Sequence, residues 1–213
     1  MDAERTAAQT AAVVHEVMST AKATRKFDDR PVDRPVLREI VEAATWAPSP
    51  RNTQPWEFVV VDDPEVRRPI GDLLEPRAAE VEAAIPRLRD PSKQKMYQGA
   101  ADLIRSLGTA PAIVFVCGRE HDYGPEFPAH SMVLSAAYTS AQNLLLAARA
   151  RGLGAAFTTL HLHAEPEIRE LLALPDEVSI EVTIPVGWPV STRWGPLRRN
   201  PVDTVLHWNT LRP

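Results

Sequence analysis

Three short polar clusters carry the side chains best suited to chemistry. Lys22-Ala23-Thr24-Arg25-Lys26-Phe27 places three cations within five residues. Charge-assisted hydrogen bonds are short and strong, so this spacing suits a dianionic phosphate; the alternative is a solvated basic turn. Ala47-Pro48-Ser49-Pro50-Arg51-Asn52-Thr53-Gln54-Pro55-Trp56 is a loop stiffened by three prolines. It presents Ser49, Arg51, Asn52 and Gln54. Asn and Gln each offer a donor and an acceptor, matching the polar edge of a heterocycle. Ordered loops between rigid elements are common ligand sites. Trp56 packs the core or touches a ligand. The third cluster, Arg193-Trp194-Gly195-Pro196-Leu197-Arg198-Arg199-Asn200, sets adjacent arginines in a Gly/Pro loop that would close on a phosphate or stand as surface charge.

Other chemistries find little support. There is no Walker A sequence, nucleophile elbow or carboxylate pair, and no catalytic side chain is assigned. Gly152-Leu153-Gly154 follows a predicted helix, the wrong context for a dinucleotide fingerprint. His161 and His163 would share one side of a strand, but no third ligand accompanies them, so they read as polar loop histidines and no metal site is assigned. Cys117 lies in an apolar run and reads as a buried, inert thiol.

The elements that must position these clusters follow from periodicity. Residues 3–22 are predicted as a helix with the stripe Ala8, Ala11, Ala12, Val14, Val17, Met18 and Ala21. Asp33 followed by Pro35 starts a second helix, which carries Leu37, Ile40, Val41 and Ala44 inward and stops near Pro48. Phe58-Val59-Val60-Val61 reads as a short buried strand. The charged, proline-broken stretch 62–106 is read as one or two helices with loops that shape access to a site. Ala112 to Cys117 is a second strand. Residues 131–151 are apolar nearly all round, which marks a central helix shared with a subunit interface; Gly152 ends it. Ala155-Ala156-Phe157 is a short strand and 165–173 a short helix. Ser179 to Val186 alternates Ile180, Val182, Ile184 and Val186 against Glu181 and Thr183, the pattern of a half-buried strand. Pro201 to Trp208 holds Val202, Val205 and Leu206 without a helix signal. The mixture lacks strict βαβ alternation, so the class is α+β, with one domain over residues 1–213.

Composition is ordinary for a soluble globular protein: 213 residues, 44% hydrophobic, 24% charged and a net charge of −4. No basic stripe suggests nucleic acid, and no apolar run reaches membrane-spanning length. A single cysteine and the lack of a signal pattern fit a cytoplasmic location.

Taken together, the clusters resemble the nitroreductase family of FMN enzymes over roughly residues 15 to 208. Four features carry the resemblance: Thr24-Arg25-Lys26-Phe27 followed by Pro31-Val32; Ala47-Pro48-Ser49 through Asn52, Gln54, Pro55 and Trp56 into a Phe-Val-Val-Val strand; Gln142-Asn143-Leu144-Leu145-Leu146-Ala147-Ala148 running into Gly152-Leu153-Gly154; and Val186-Gly187-Trp188-Pro189 before Arg199. The resemblance implies a central, mostly antiparallel sheet flanked by helices in an intertwined homodimer, with FMN at the subunit interface. It implies flavin contacts from Lys22, Ala23 and Arg25, and from Pro48, Ser49, Pro50, Asn52 and Gln54, some of them to the partner's flavin. Thr158 and Thr159 would lie at the isoalloxazine edge, largely through backbone groups, and Arg198 and Arg199 at the phosphate. The implied activity is ping-pong transfer of hydride from NAD(P)H through flavin N5 to a nitroaromatic, quinone or similar small acceptor. Other readings on the same fold are a flavin-sequestering protein, a deazaflavin enzyme and a cofactor-free structural dimer. Ala21 and Ala23 stand where the family often has an arginine and a small hydroxyl residue, and Pro50 where a small polar residue is common. A lysine from mid-chain has only Arg87, Lys93 and Lys95 as candidates. Each lost charged hydrogen bond weakens phosphate binding by roughly 1.5–3 kcal/mol, about one to two decades.

Overall fold

Two apolar sets, one on each side of a single sheet, organise the chain. The computed structural model describes residues 6–192 and 194–211. Within these, the order is α1 (Ala7–Thr20), α2 (Arg34–Thr45), β1 (Trp56–Val61), α3 (Pro64–Ala84), α4 (Pro91–Thr109), β2 (Ala112–Arg119), α5 (Ala129–Ala150), β3 (Gly154–Ala155), α6 (Glu165–Leu171) and β4 (Val178–Gly187). The strands form one sheet in the order β1-β2-β4-β3, antiparallel at every pairing. The α+β class and the antiparallel sheet flanked by helices are therefore as expected.

On one face Val114, Val116, Val182, Ile184 and Val186 meet Leu37, Ile40 and Ala44 of α2 and Ala137, Ala141, Leu144 and Ala148 of α5. On the other, Ile113, Phe115 and Cys117 meet Ile70 and Leu74 of α3, Ile104 and Leu107 of α4, and Ile168 of α6. The result is three layers, helix–sheet–helix, with β2 and β4 buried on both sides. Asp33 caps α2 as expected, its carbonyl accepting from Val36 and Leu37. The stretch 62–106 is two long helices, α3 and α4, pinned together by Arg105 between Glu75 and Glu82. Pro69 and Pro76 lie inside α3. Each removes an intrahelical hydrogen bond, which blurs the bounds of the helices expected here.

Two strand expectations need correction. β1 is an edge strand: Val61 is buried, but Phe58 and Val59 are partly covered and Val60 is exposed. β4 is nearly continuously buried rather than half-buried. Its register against β2 slips where Val116 pairs with Val182 and Cys117 with Ile180. Glu181 is the extra residue of this bulge, so the alternation changes faces there. Ile180 points to the α3/α4 side and Val182 to the α2/α5 side. Glu181 is buried and receives a hydrogen bond from the Ser179 hydroxyl.

The α1 stripe is real, but the described residues leave most of it uncovered. The helix begins with a Thr6/Gln9 capping box and ends at Thr20, its one buried residue. Val13, Val14 and Met18 are exposed, as are Val202, Val205, Leu206, Trp208 and Leu211 of the C-terminal segment.

Candidate functional site

The first cationic cluster is an added strand at the sheet edge. Thr24 donates its backbone N–H to the Ala155 carbonyl at 2.9 Å, and Asp28 does the same to Trp188. Isolated bridges pair Ala23 with Ala155 and Phe27 with Pro189. Gly154 makes the approach possible: a Cβ there would lie 2.6 Å from the Thr24 side chain. Gly152, at φ +76°, turns the chain out of α5. The Gly-Leu-Gly turn thus serves helix termination and close packing.

This added strand borders two cavities. The larger, about 820 Å³, is lined by Lys22, Arg25 and Lys26 on one side and by Lys95, Gln98 and Asp102 of α4 on the other. Arg25 packs along α4 at Gly99, where a Cβ would stand 3.3 Å from Arg25 Nε. Lys26 pairs with Asp102 at 3.5 Å. Of the mid-chain cations, Lys95 lines this cavity, while Arg87 and Lys93 do not. The smaller cavity, about 170 Å³, lies between Lys22 and Ala23, the end of α5 at Arg149, and Trp194. Leu197 donates to the Ser19 carbonyl at 2.7 Å, which ties the third cluster to the end of α1. Arg198 and Arg199 are exposed and border neither cavity. Arg193 lies outside the described residues.

The second cluster is built largely around itself. Arg51, Asn52 and Gln54 adopt φ of 52°, 54° and 51°, a left-handed region costly for non-glycine residues and concentrated at functional sites. The strain is held by Thr53 Oγ1 donating to the Pro50 carbonyl and lying 2.7 Å from the Tyr123 hydroxyl. Gln54 N–H donates to Ser49 Oγ at 3.0 Å, and Arg51 donates to the Tyr123 carbonyl. Thr139 of α5 donates to the Pro48 carbonyl at 3.3 Å. Asn52 and Gln54 face solvent. Neither cavity along residues 22–26 includes Pro48, Ser49, Pro50, Asn52 or Gln54, so one chain does not unite the two clusters around a common cavity.

Thr158 and Thr159 differ in what they can offer. Thr158 is buried, its N–H donating to the Thr183 carbonyl at 3.1 Å and its carbonyl accepting from Thr183 at 2.8 Å. The backbone of Thr158 is thereby engaged within the chain. Thr159 is exposed and is the one presented outward.

Beneath them His161 is not a polar loop residue on a strand. It lies on a 3₁₀ turn, 1% exposed, with Nδ1 2.9 Å from Thr183 Oγ1. Burial lowers its pKa to about 4, against the Ile180 carbonyl, which raises it. The unfolded chain binds a proton at this histidine below about pH 6.5 and the folded chain only near pH 4, so folding stability falls as pH drops through that window. The loss totals about 3 kcal/mol. Urea unfolding of His161→Asn beside the wild type, from about pH 7 to pH 4, should show the decline flattened in the variant; equal slopes would exclude His161 as its source. Cys117 is buried with its thiol pushed up to about 12 by desolvation, in line with an inert thiol.

A statistical description of the Nitroreductase family matches residues 6–188. The chain belongs to the nitroreductase family. The Thermus thermophilus NADH dehydrogenase is 31% identical over 185 residues, covering 80% of this chain and 83% of the relative. Mouse (Mus musculus) iodotyrosine deiodinase 1 is 28% identical over 173 residues, covering 78% of this chain but only 59% of the deiodinase. A Desulfovibrio desulfuricans protein assigned as a nitroreductase, solved in complex with FMN, is similar with a TM-score of 0.67 and 26% identity, covering 93% of this chain and 98% of that one. Gln98 on α4, Arg149 on α5 and Trp194 are cavity residues that no local sequence pattern marks. Gln98 and Arg149 sit in helices whose periodicity says nothing of which loop packs beside them.

Proposed function

We propose that the chain is an FMN-dependent oxidoreductase that works as a homodimer, taking electrons from NAD(P)H and passing them to a small acceptor. The observation that carries the reading is the convergence of Lys22 and Arg25 with Lys95 of α4 on one cavity. A group with an anionic tail and an electron-rich ring suits such surroundings. The 31% identity to an NADH dehydrogenase supports a nicotinamide donor, and the FMN complex of a relative supports the flavin. Among the described residues no helix is long and apolar enough to cross a membrane.

Bound FMN would supply the two-electron chemistry, and the protein would bind and orient it. Lys22 would hold the phosphate end, while Arg198 and Arg199, which border neither cavity of their own chain, are not assigned to it. Arg25 would lie at the pyrimidine edge, placing positive charge where negative charge develops on reduction. Ser49, Asn52 and Gln54 would reach the flavin of the partner subunit, because their loop stands apart from the cavities of its own chain. The segment of α4 carrying Lys95, Met96 and Gln98 would wall the acceptor's side.

The purified protein is expected to be yellow and to release about one FMN per chain on denaturation, identified by mass. It should oxidise NADH or NADPH with parallel-line kinetics against a nitroaromatic, a quinone or an iodophenol, the last included because of the deiodinase relatives. A colourless protein that does not take up added FMN at micromolar concentration overturns the flavin reading. FMN binding without turnover on any of these acceptors replaces catalysis with sequestration.

A further inference from the structure

We propose that Arg149 receives the phosphate monoester of the bound flavin, an inference that rests on the FMN reading above. Arg149 sits in the last turn of α5, and its side chain is 14% exposed. Its orientation is set before any ligand arrives. Nε donates to Thr20 Oγ1 at 2.9 Å, and that hydroxyl donates in turn to the Glu16 carbonyl. The Trp194 ring stacks on the guanidinium, 4.3 Å from its carbon to the ring centroid.

Among the described residues the charge itself is poorly matched. Glu16 stands 3.9 Å from Nη2, beyond hydrogen-bond range, on a side chain 71% exposed. Such a distant, solvated carboxylate contributes little. The bond to Thr20 uses Nε and leaves the two terminal nitrogens for another acceptor. A desolvated cation is costly without a partner. Here the cation faces a cavity of about 170 Å³ whose second cation is Lys22.

The rest of that wall favours a compact anion. Ala21, Ala23 and Ala156 line it with methyl groups, which leave room for a tetrahedral group and lower the local dielectric. The planar fork of arginine matches two phosphate oxygens at once, a geometry lysine cannot offer. The cavity is small and lies between Ala21 just past α1, Arg149 at the end of α5 and Trp194, so it suits a terminal phosphate on a short chain. Thus α5 would supply the charge that neither Ala21 nor Ala23 provides.

The test is equilibrium titration of flavin-stripped full-length protein with FMN and with riboflavin, which lacks the phosphate. Wild type should bind FMN far more tightly than riboflavin. Arg149→Ala and Arg149→Gln should each weaken FMN roughly 10- to 100-fold and leave riboflavin within about threefold, and Arg149→Lys should recover part of the loss. Unchanged riboflavin binding also shows that the variants fold. Parallel losses for FMN and riboflavin, or none for either, overturn the assignment. So does an unchanged FMN affinity with a raised KM for NADPH, which would give the cation to the dinucleotide. Equal affinity of the wild type for both flavins overturns the phosphate role and leaves the flavin reading standing. Binding of neither flavin overturns both.

Discussion

Truncation after Asn200 is expected to convert the protein from a dimer to a monomer and to abolish flavin binding while the fold survives. The reason lies in what the chain leaves uncovered. Val202, Val205, Leu206, Trp208 and Leu211 are all exposed, Trp208 at 80%. Val13, Val14 and Met18 of α1 are exposed too. Full burial of one such side chain contributes about 1.5–3 kcal/mol, so the tail, already partly covered, carries roughly 5–10 kcal/mol of association before ordering costs. A run of large apolar side chains facing water marks an interaction surface, and a second copy of the chain offers the uncovered face of α1 to match it. The cut keeps Arg198 and Arg199, so it removes apolar contact and no phosphate cation. Every described residue beyond Asn200 is exposed, so the monomer's own core loses nothing. Sedimentation of the two proteins at micromolar concentration checks this. A monomeric wild type, or a truncated chain that still dimerises, removes the tail from the interface.

The second large effect is expected from mixing two defective variants. Arg25→Ala alone should lower turnover about 100-fold and shift the flavin midpoint potential downward by roughly 30–60 mV, the two-electron equivalent of one charged hydrogen bond. Asn52→Ala combined with Gln54→Ala should cost about 10- to 100-fold through lost contacts to the flavin edge. Co-expressed, the two chains form hybrids in which one site carries both defects and the other none. Activity should then recover to about a quarter of wild type, since random pairing makes half the dimers hybrid and each hybrid has one intact site. A mixture no better than the average of its parents would mean that each site is built within one chain.

Much of the architecture was legible in the residues. Asp33 with Pro35 marked the start of α2, and the apolar run from Met132 to Ala148 marked α5 as central, because capping and helical burial are local patterns. The α+β class followed from the absence of βαβ alternation, and the family resemblance implied the antiparallel sheet. One or two helices could be read in 62–106, but not the bounds of α3 or its pairing with α4, since Pro69 and Pro76 weaken the local signal and packing of Ile70 and Leu74 on the sheet sustains the helix. The bulge at Glu181 was invisible too. A strand that changes faces at an extra residue shows the same alternation on paper as one that does not, and only its pairing with β2 reveals the slip.

The family, the class of fold and three polar clusters suited to an anionic, heterocyclic ligand are legible in the chain alone. Those are properties of residue type, order and spacing. The tertiary structure decided which clusters meet. It set Lys22 and Arg25 beside α4 and brought Arg149 to Thr20 across the fold. It also held the strained 48–54 loop apart from them. Such convergence depends on how helices and loops pack against a shared sheet, and the packing rests on contacts between residues far apart in the chain, which no local pattern records.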